Sequence, residues 1–233
     1  MLKFHTTKLY PCGYFPERMA CSEVVAPDDL MGVVIYDKLI QAGFRRSGQY
    51  VYRPQCEQCH ACVSVRVNVN SFVPKRSQRR SWKRHAHLTT KQHPLHFKAE
   101  HYALYQRYQA RRHTGGVMDG DSREQYHNFL LQSNVDSKLI EFYEAGQLRM
   151  ISIIDELPDG LSSVYTFFDS DVTNASYGTY NILWQIQRCK ALGLNYLYLG
   201  YWIKAHPKMS YKANFQPLEM LINGQWQHEK NNF

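Results

Sequence analysis

The chain has 233 residues, of which 44% are hydrophobic, enough for the core of one large domain or two small ones. Such a composition excludes a disordered chain. The formal net charge is +8 at pH 7, but twelve Lys and Arg residues against the single acid Glu100 give residues 66–112 a charge of +11. The other residues therefore sum to −3, and this localised positive patch predicts an anionic partner.

The N-terminal residues lack the apolar run and the small-residue cleavage site of a secretory signal. No apolar run approaches the roughly 20 residues that span a bilayer. We therefore predict a cytoplasmic protein that does not bind membranes. In that compartment the six cysteines should stay reduced, as thiols, metal ligands or core residues.

The predicted elements of the first half are helices and short strands. A helix should start at Pro27, Asp28 and Asp29 and end at Gly43. Two strands follow, at residues 50–53 and 62–69, and in the second the alternating valines place Arg66 on the opposite face. Further helices are predicted at residues 77–90, 97–113 and 122–132, with Gly115, Gly116 and Gly120 in the loop between the last two.

The second half reads as a sheet with a crossover helix. Three strands should occupy residues 139–169, joined by turns at 144–147 and 158–160. They are followed by a helix at 179–192, a strand at 196–201, a short helix from Pro207 and a strand at 218–222. This order predicts an α/β sandwich with a mixed sheet and flanking helices.

One candidate ligand site is the segment Ser176-Tyr177-Gly178-Thr179-Tyr180, at the predicted start of the crossover helix. A helix start presents free backbone N–H groups to a phosphate or an oxyanion. Gly178 would allow close approach of the backbone, and Thr179 could cap the helix. An ordinary capped helix explains the same residues.

A second candidate site is the segment at residues 200–212, which follows a buried-looking strand. It holds three lysines, a histidine and three large aromatic residues. Lys208 and Lys212 are four residues apart and would share a helix face. A solvated helix face is the alternative.

Cys56, Cys59 and Cys62 have the close spacing of zinc or iron–sulfur ligands, and Cys12 or Cys21 could supply a fourth. No second Cys-x2-Cys pair is present. Inert reduced cysteines are therefore an alternative that the spacing leaves open.

Residues 75–84 are the densest basic run. On a helix, Arg76, Arg80, Lys83 and Arg84 would form a ridge able to bind phosphates or a carboxylate. No helix-turn-helix, zinc-finger or RNA-recognition signature accompanies the run, so we predict no sequence-specific DNA binding. Six histidines lie in the basic window without metal-motif spacing, and most are expected at the surface: His85, His87, His93, His96, His101 and His113.

Five segments together resemble the bacterial aminoacyl-tRNA-protein transferases, in particular the leucyltransferase branch that acts on Asp and Glu and is related to eukaryotic arginyltransferases. The segments are YRPQCEQCHACVSVRV, FVPKRSQRR, DGLSSVYTFFD, SYGTY and YLYLGYWIKAHPKMSYKANFQPLEML. They span nearly the whole chain in the family's order. The chain departs from the eukaryotic relatives at Phe15, where those proteins have the last cysteine of a Cys-Gly-Tyr-Cys element linked to metal binding.

The resemblance implies transfer of leucine from leucyl-tRNA to the N-terminal amine of proteins that begin with Asp or Glu, which marks them for degradation in an N-degron pathway. It implies an N-acetyltransferase (GNAT)-like domain at residues 76–233 and a smaller basic, cysteine-containing domain at residues 1–75. Aminoacyl-tRNA and acidic N-terminal peptides are the expected partners. Leucyl-tRNA is a co-substrate and no cofactor is expected to be required, while a metal at Cys56, Cys59 and Cys62 stays an alternative.

Little covalent catalysis is needed, because the aminoacyl ester is already activated and an α-amine has a pKa of about 7.7 to 8.0. For proton relay or lining of the reaction centre we predict Tyr165, Asp169, Tyr180, Tyr201 and Tyr211. For the acidic acceptor we predict Arg76 and Arg80, with Arg66 and Lys204 as further candidates. For tRNA we predict Ser176, Gly178, Thr179, Lys83, Arg84, Lys208 and Lys212.

Two other functions stay open. A CoA-dependent N-acetyltransferase of the same fold usually has an Arg/Gln-x-x-Gly-x-Gly/Ala loop before its crossover helix, whereas residues 174–179 read Asn-Ala-Ser-Tyr-Gly-Thr. A non-catalytic zinc-containing RNA-binding module would explain the cysteines and the basic window. It would leave the apolar α/β half unexplained.

Overall fold

The computed structural model describes residues 2–26, 33–112 and 120–228. Its strands, in chain order, are β1 (Phe4–Thr6), β2 (Tyr10–Pro11), β3 (Met19–Ala20), β4 (Ser22–Val25), β5 (Arg45–Ser47), β6 (Tyr50–Pro54), β7 (Val63–Asn68), β8 (Thr89–His93), β9 (Ser137–Glu144), β10 (Gln147–Glu156), β11 (Gly160–Phe168), β12 (Tyr196–Trp202), β13 (Leu218–Ile222) and β14 (Gln225–His228). Its helices are α1 (Val33–Gln41), α2 (Arg76–His85), α3 (Ala99–Arg112), α4 (Arg123–Tyr126), α5 (Tyr177–Ala191) and α6 (Pro207–Ser210), with a π-helical turn at His127–Leu131 and a 3-10 helix at Tyr211–Asn214. None of the described helices has the length and apolar character needed to cross a membrane.

Eight strands form one central mixed sheet in the order β14-β13-β7-β12-β11-β10-β9-β8. A four-stranded sheet in the order β1-β4-β6-β5 belongs to the N-terminal part, with a short β2-β3 pair. The protein is therefore an α/β fold built on a mixed sheet with flanking helices, as the element order predicted.

The antiparallel hairpins β9-β10 and β10-β11 form the regular part of the central sheet. The β9-β10 turn has two central residues with positive φ, Ala145 at 48° and Gly146 at 82°. Positive φ at both positions matches the right-handed twist of the flanking strands, as in type I′ hairpins. This local chemistry fixes the register that buries one face of each strand.

The parallel pair β11-β12 is short and then divides. Only Gly160–Ser162 pairs with Tyr196–Tyr198, although β11 continues to Phe168 and β12 to Trp202. Beyond Ser162 no further pairing joins the two strands in the described ranges. We call the resulting gap the strand split. It lies at the carboxyl end of a parallel pair, where α/β folds usually bind ligands.

Alternating side chains of the sheet supply cores on both faces. On one face Leu161 and Leu197 pack with Ile186 of the crossover helix α5. On the other face Ile153 and Phe167 belong to a core shared with α3 and α4. That second face also carries a core formed with α1 and the four-stranded sheet. The helices on both sides therefore hold the split strands in place.

A buried ion pair fastens the N-terminal sheet to the central sheet. Arg46 of β5 makes two hydrogen bonds to the Asp155 carboxylate, at 3.0 and 2.9 Å, and both side chains are almost fully buried. Tyr36 and Ser137 donate to the same carboxylate at 2.6 Å each. Burial lowers the pKa of Arg46, but the negative charge and the hydrogen bonds of Asp155 together raise it by more, so the pKa of Arg46 lies above its ordinary value. All members of the network have partners, which is the condition under which a buried pair is tolerated.

The predicted strands of the second half and the crossover helix are confirmed, with bounds shifted by at most two residues. The helix predicted at 77–90 was too long, because residues 89–93 form the edge strand β8 paired with β9. The helix predicted at 122–132 changes into the π-helical turn after Tyr126. The small strands β1 to β5 and β14 were missed, since two to four residues give too short an alternation to recognise.

Some predictions concern residues outside the described ranges. The helix start at 27–32, together with Gly115, Gly116 and His113, is among them. The described part of the first predicted helix is α1, which ends at Gln41, two residues before Gly43. Strand β7, from the first 75 residues, lies inside the central sheet between β13 and β12.

Candidate active site at the strand split

The strand split contains a buried arginine from the N-terminal sheet. Arg45 of β5 is 8% exposed, and its Nη2 donates to the Ser163 carbonyl at 2.8 Å, just where β11 leaves β12. Its guanidinium lies over Gly200, where the β7-β12 register is irregular. A Cβ at Gly200 would meet the guanidinium at 3.2 to 3.4 Å, and the φ of +78° also favours glycine. The bulge in β12 therefore makes room for Arg45.

Lys212 lies on the other side of the split. It belongs to the 3-10 helix after α6, is 6% exposed, and its Nζ donates to the Tyr201 carbonyl at 2.6 Å. Burial lowers its pKa first and the positive charge of Arg45 lowers it further, whereas Cys62 raises it; the resulting pKa is about 7. Lys212 is therefore about half neutral near pH 7, an uncommon state for a lysine.

Arg45 and Lys212 form a buried pair of like charges. No carboxylate in the described ranges makes an ion pair with either one. Burying cations without an acid partner costs free energy, and such groups concentrate at functional sites. The site is thus prepared for an anion that none of the described residues supplies.

An aromatic wall borders the split on the α3 side. Tyr108 packs edge-on against Phe168 with ring centroids 4.9 Å apart, and Gln109 donates to the Tyr165 hydroxyl at 3.2 Å. Tyr211, next to Lys212, is 44% exposed; desolvation of its hydroxyl and the nearby Tyr108 raise its pKa to about 12. Burial likewise raises the pKa of Tyr165. These phenols stay protonated at neutral pH and can donate hydrogen bonds.

The start of the crossover helix differs in detail from its prediction. Helix α5 begins at Tyr177, so Thr179 lies within the first turn and does not cap it. Ser176 is the N-cap residue, has a φ of 58°, and makes no side-chain cap hydrogen bond. A Cβ added at Gly178 would meet the Phe168 ring at 3.7 Å, an ordinary contact distance. The free N–H groups of this turn therefore lie beside the aromatic wall of the split.

Three of the five predicted reaction-centre residues are held in structural contacts. The Tyr201 hydroxyl donates to the carbonyls of Gly43 and Tyr52 at 3.0 and 3.1 Å. Asp169 accepts from Arg149 at 2.7 Å. Tyr180 is buried against Trp82. Tyr165 and Tyr211 are the two that border the split.

The predicted basic ridge is present on α2. Gln78, Ser81 and His85 face inward, where Gln78 donates to the Asn214 carbonyl at 3.1 Å and Ser81 to the Ser176 carbonyl at 3.4 Å. The opposite face is exposed and carries Arg76, Arg79, Arg80, Lys83 and Arg84. Helix α2 therefore braces the α5 start and the 3-10 helix while presenting cations to solvent.

The remaining predicted cations differ in environment. Arg66 is buried, pairs with Glu219 at 2.7 Å and lies 3.6 Å from the Tyr196 ring centroid, so its charge is used within the fold. Lys204 and Lys208 are exposed. The alternating valines of β7 correctly predicted that Arg66 lies on the opposite face of the strand. They did not predict that it is buried there against Glu219.

The cysteines are free thiols, and Cys56, Cys59 and Cys62 are partly buried. Arg18 donates to the Cys59 sulfur at 3.5 Å. A backbone hydrogen bond and then Arg18 hold the pKa of Cys59 below its ordinary value, while burial opposes them. Burial first, and then the neighbouring thiols, raise the pKa of Cys62 to about 12. In the described ranges, no three cysteine sulfurs lie close enough together to hold one ion.

A cavity of about 610 Å³ lies between the N-terminal sheet and the β13-β7-β12 side of the central sheet. Its lining includes Cys56, Cys62, Ser64 and Tyr201. Tyr201 lines the cavity with its side chain while its carbonyl holds Lys212. The volume is in the range of about 300 to 1,000 Å³ that is typical of small-ligand pockets.

Arg45, Tyr108 and Gln109 are the residues that sequence reasoning missed. Arg45 stands in an Arg-Arg pair that begins a three-residue strand, and nothing in that pattern separates it from a surface cation. Tyr108 lies on a helix whose tyrosines have mixed spacing. Only the long-range packing of β5 and α3 against β11 brings these residues together.

The fold and the site define an α/β protein with two buried cations, Arg45 and Lys212, at the place where two strands of its central sheet divide. The chain belongs to the arginine-tRNA-protein transferase family: the model of that family's N terminus matches residues 10–80, and the model of its C terminus matches residues 100–222.

Two relatives carry the name aspartate/glutamate leucyltransferase. The protein of Nitrosospira multiformis is 64% identical over 97% of this chain and 90% of its own length. The protein of Polynucleobacter asymbioticus is 53% identical over 97% of this chain and 94% of its own length. Among solved structures, that of L-PGS from Bacillus licheniformis has a TM-score of 0.47 at 13% identity, covering 60% of this chain and 45% of that one.

Proposed function

We propose that this protein transfers leucine from leucyl-tRNA to the N-terminal amine of proteins that begin with Asp or Glu. The names of the two relatives support the donor and the acceptor. The observation in the molecule that carries the proposal is the pair of buried cations, Arg45 and Lys212, which has no internal acid partner in the described ranges. An acidic acceptor side chain supplies the missing anion.

Arg45 is the residue we propose to read the acceptor carboxylate. A guanidinium offers several donors in one plane, and only the Nη2 of Arg45 is engaged by Ser163. An amide side chain at the same place would leave the cation unpaired. The discrimination of Asp from Asn is therefore electrostatic.

Lys212 is the residue we propose to move the proton. In the transfer, the acceptor nitrogen attacks the ester carbonyl carbon, a C–N bond forms, and the C–O bond to the ribose breaks. The neutral amine of Lys212 takes the proton that the nitrogen loses and returns it to the departing ribose oxygen. Its hydrogen bond to the Tyr201 carbonyl orients the side chain and leaves the nitrogen lone pair available.

The tRNA is proposed to meet two features next to the split. The ridge on α2, with Lys83 and Arg84 among its exposed cations, suits the phosphates of the acceptor stem. The free N–H groups at Ser176 and Gly178 suit the 3′ end. Exposed Lys208 is a further candidate for phosphate contact.

The finer predictions drawn from the family resemblance stay proposals. They are an N-acetyltransferase-like fold, supported by the split after three parallel residue pairs, and a division into residues 1–75 and 76–233 with β7 entering the larger sheet. The role in marking proteins for degradation and the cytoplasmic location also stay predictions.

The test is a transfer assay with several charged tRNAs and a set of peptides that differ only in the first residue. Labelled leucine should move to Asp- and Glu-starting peptides and not to Asn- or Gln-starting ones. The Arg45→Met variant should lose most transfer to acidic peptides, whereas Lys190→Met, at an exposed cation of α5, serves as the control. Acetylation of the peptides from acetyl-CoA, with no transfer from leucyl-tRNA, would contradict the proposal.

A further inference from the structure

A second cluster of titratable side chains lies away from the strand split, at the edge of the central sheet. Its centre is Glu141 of β9, whose side chain is fully buried. His93 of β8 approaches one carboxylate oxygen at 3.0 Å, and His101 of α3 approaches the other at 2.9 Å. Lys98 donates to that second oxygen at 2.5 Å. Three elements thus converge on one carboxylate.

His96 brings a third imidazole to the cluster. Its ring centroid is 5.2 Å from that of His93 and 5.5 Å from that of His101. Ligand atoms of His96, His101 and Glu141 all lie within 4.8 Å of one another. The Nδ1 of His96 is 2.9 Å from the Pro94 carbonyl. Donation from Nδ1 leaves the lone pair on Nε2, the arrangement found in metal-binding histidines.

We propose that His96, His101 and Glu141, with His93 beside them, bind a divalent transition-metal ion of the zinc class. Two or three imidazole nitrogens with one carboxylate oxygen are the donor set that such ions prefer. The inference is independent of the proposed transfer activity.

Lys98 holds the place of the cation when no metal is bound. Its side chain is 40% exposed, so the ammonium can swing into solvent as an ion enters, and the two cations compete for Glu141.

His101 also has an unexplained buried atom. The residue is 0% exposed, and its Nδ1 has no hydrogen-bond partner among the described residues. Burying an imidazole with one unpaired nitrogen costs free energy. The hydrogen bond between His101 and Glu141 is the interaction that offsets this cost. A metal–nitrogen bond at this ring adds a stabilising interaction and explains why a histidine is kept there.

The proposed ion would be structural. It would join β8 and β9 to the first turn of α3, the helix that carries Tyr108 and Gln109 to the strand split. Binding only to the folded chain would stabilise the protein in proportion to metal concentration. No step of leucyl transfer passes through it.

The experiment is titration of the metal-stripped full-length protein with Zn²⁺ in competition with a chromophoric chelator, and with Co²⁺ followed by absorption. Wild type should bind one ion. Lys98→Met should bind at least about 10-fold tighter, because the competing ammonium is gone, and His96→Gln at least about 10-fold weaker. His5→Gln, which removes an exposed histidine of β1, should bind as wild type does.

Cobalt distinguishes this site from the cysteines. Nitrogen and oxygen ligands give d–d bands alone, whereas thiolate ligands add a charge-transfer band. A thiolate spectrum, or an affinity that neither Lys98→Met nor His96→Gln changes, would overturn the proposal. Both altered residues are partly exposed, so the variants should fold, and a stability rise with zinc that His96→Gln abolishes is the second expected result.

Discussion

Replacing Lys212 with methionine tests whether this lysine moves a proton in the reaction or is only a buried side chain. The folded-state pKa of about 7 is lower than the ordinary value of 10.5, so between these values the unfolded chain binds more protons than the folded chain. Stability contributed by this group must therefore rise with pH through that window. Between pH 7 and 9 the rise amounts to about 2 kcal/mol in the free energy of unfolding.

The methionine variant should lose this rise, as measured by urea unfolding at pH 7, 8 and 9. Lys208→Met, at an exposed lysine of the same segment, should keep it. Methionine removes the buried charge and keeps most of the side-chain volume, so the variant should fold.

Leucyl transfer by the Lys212→Met variant should fall by about 100-fold or more in kcat/KM, the scale of general acid–base catalysis. The pH profile is the sharper measurement. Below pH 7, wild-type kcat/KM should fall with two protonations, that of Lys212 and that of the acceptor amine, and the variant should fall with one. Unchanged stability slopes together with an unchanged pH profile would refute the assignment of Lys212.

Three further predictions test the surroundings of the split. Arg76→Ala and Arg80→Ala should reduce transfer equally for all acceptor peptides and weaken its salt dependence, because both side chains lie on the exposed ridge. A selective loss of about 1.5 to 3 kcal/mol for Asp and Glu peptides would instead show that these two arginines recognise the acceptor. Asp155→Asn should lower the free energy of unfolding, measured in urea, by about 3 to 5 kcal/mol, because it breaks the buried pair with Arg46. Asp136→Asn, at the exposed pair with Lys138, should lower it by less than about 1 kcal/mol. Gly200→Ala should impair transfer to acidic peptides more than Gly193→Ala does. Both glycines have positive φ, but only an alanine at position 200 would place its Cβ against Arg45. Equal effects of the two variants would mean that backbone strain alone causes the loss.

The sequence was most informative where the determinants are local. The β9-β10 turn contains Ala145 and Gly146 in the conformation that a tight hairpin needs, and the three strands around it were predicted correctly. Helix α5 was also predicted, because its apolar periodicity and the terminating Gly193 are both within one segment. Such signals depend on neighbours a few residues away, and so they can be read without the fold.

The candidate site could not be read in the same way. Lys208 and Lys212 were expected on one helix face, but α6 ends at Ser210 and the 3-10 helix that follows changes the repeat to three residues per turn. Lys212 is therefore buried and Lys208 exposed. Arg45 is brought to Ser163 by a contact across 118 residues, which no local pattern encodes.

The placement of the two buried cations also explains why the site lies at the split. Paired strands satisfy their own backbone groups, so a parallel pair that continued to Phe168 and Trp202 would leave Arg45 no carbonyl to donate to and no gap to occupy. Because β11 and β12 divide after three residue pairs, the Ser163 carbonyl becomes available to Arg45 and the Tyr201 carbonyl to Lys212. The same geometry that interrupts the sheet therefore supplies the oxygens that hold both side chains, while the charge of Arg45 stays free for a substrate carboxylate and the amine of Lys212 for the proton.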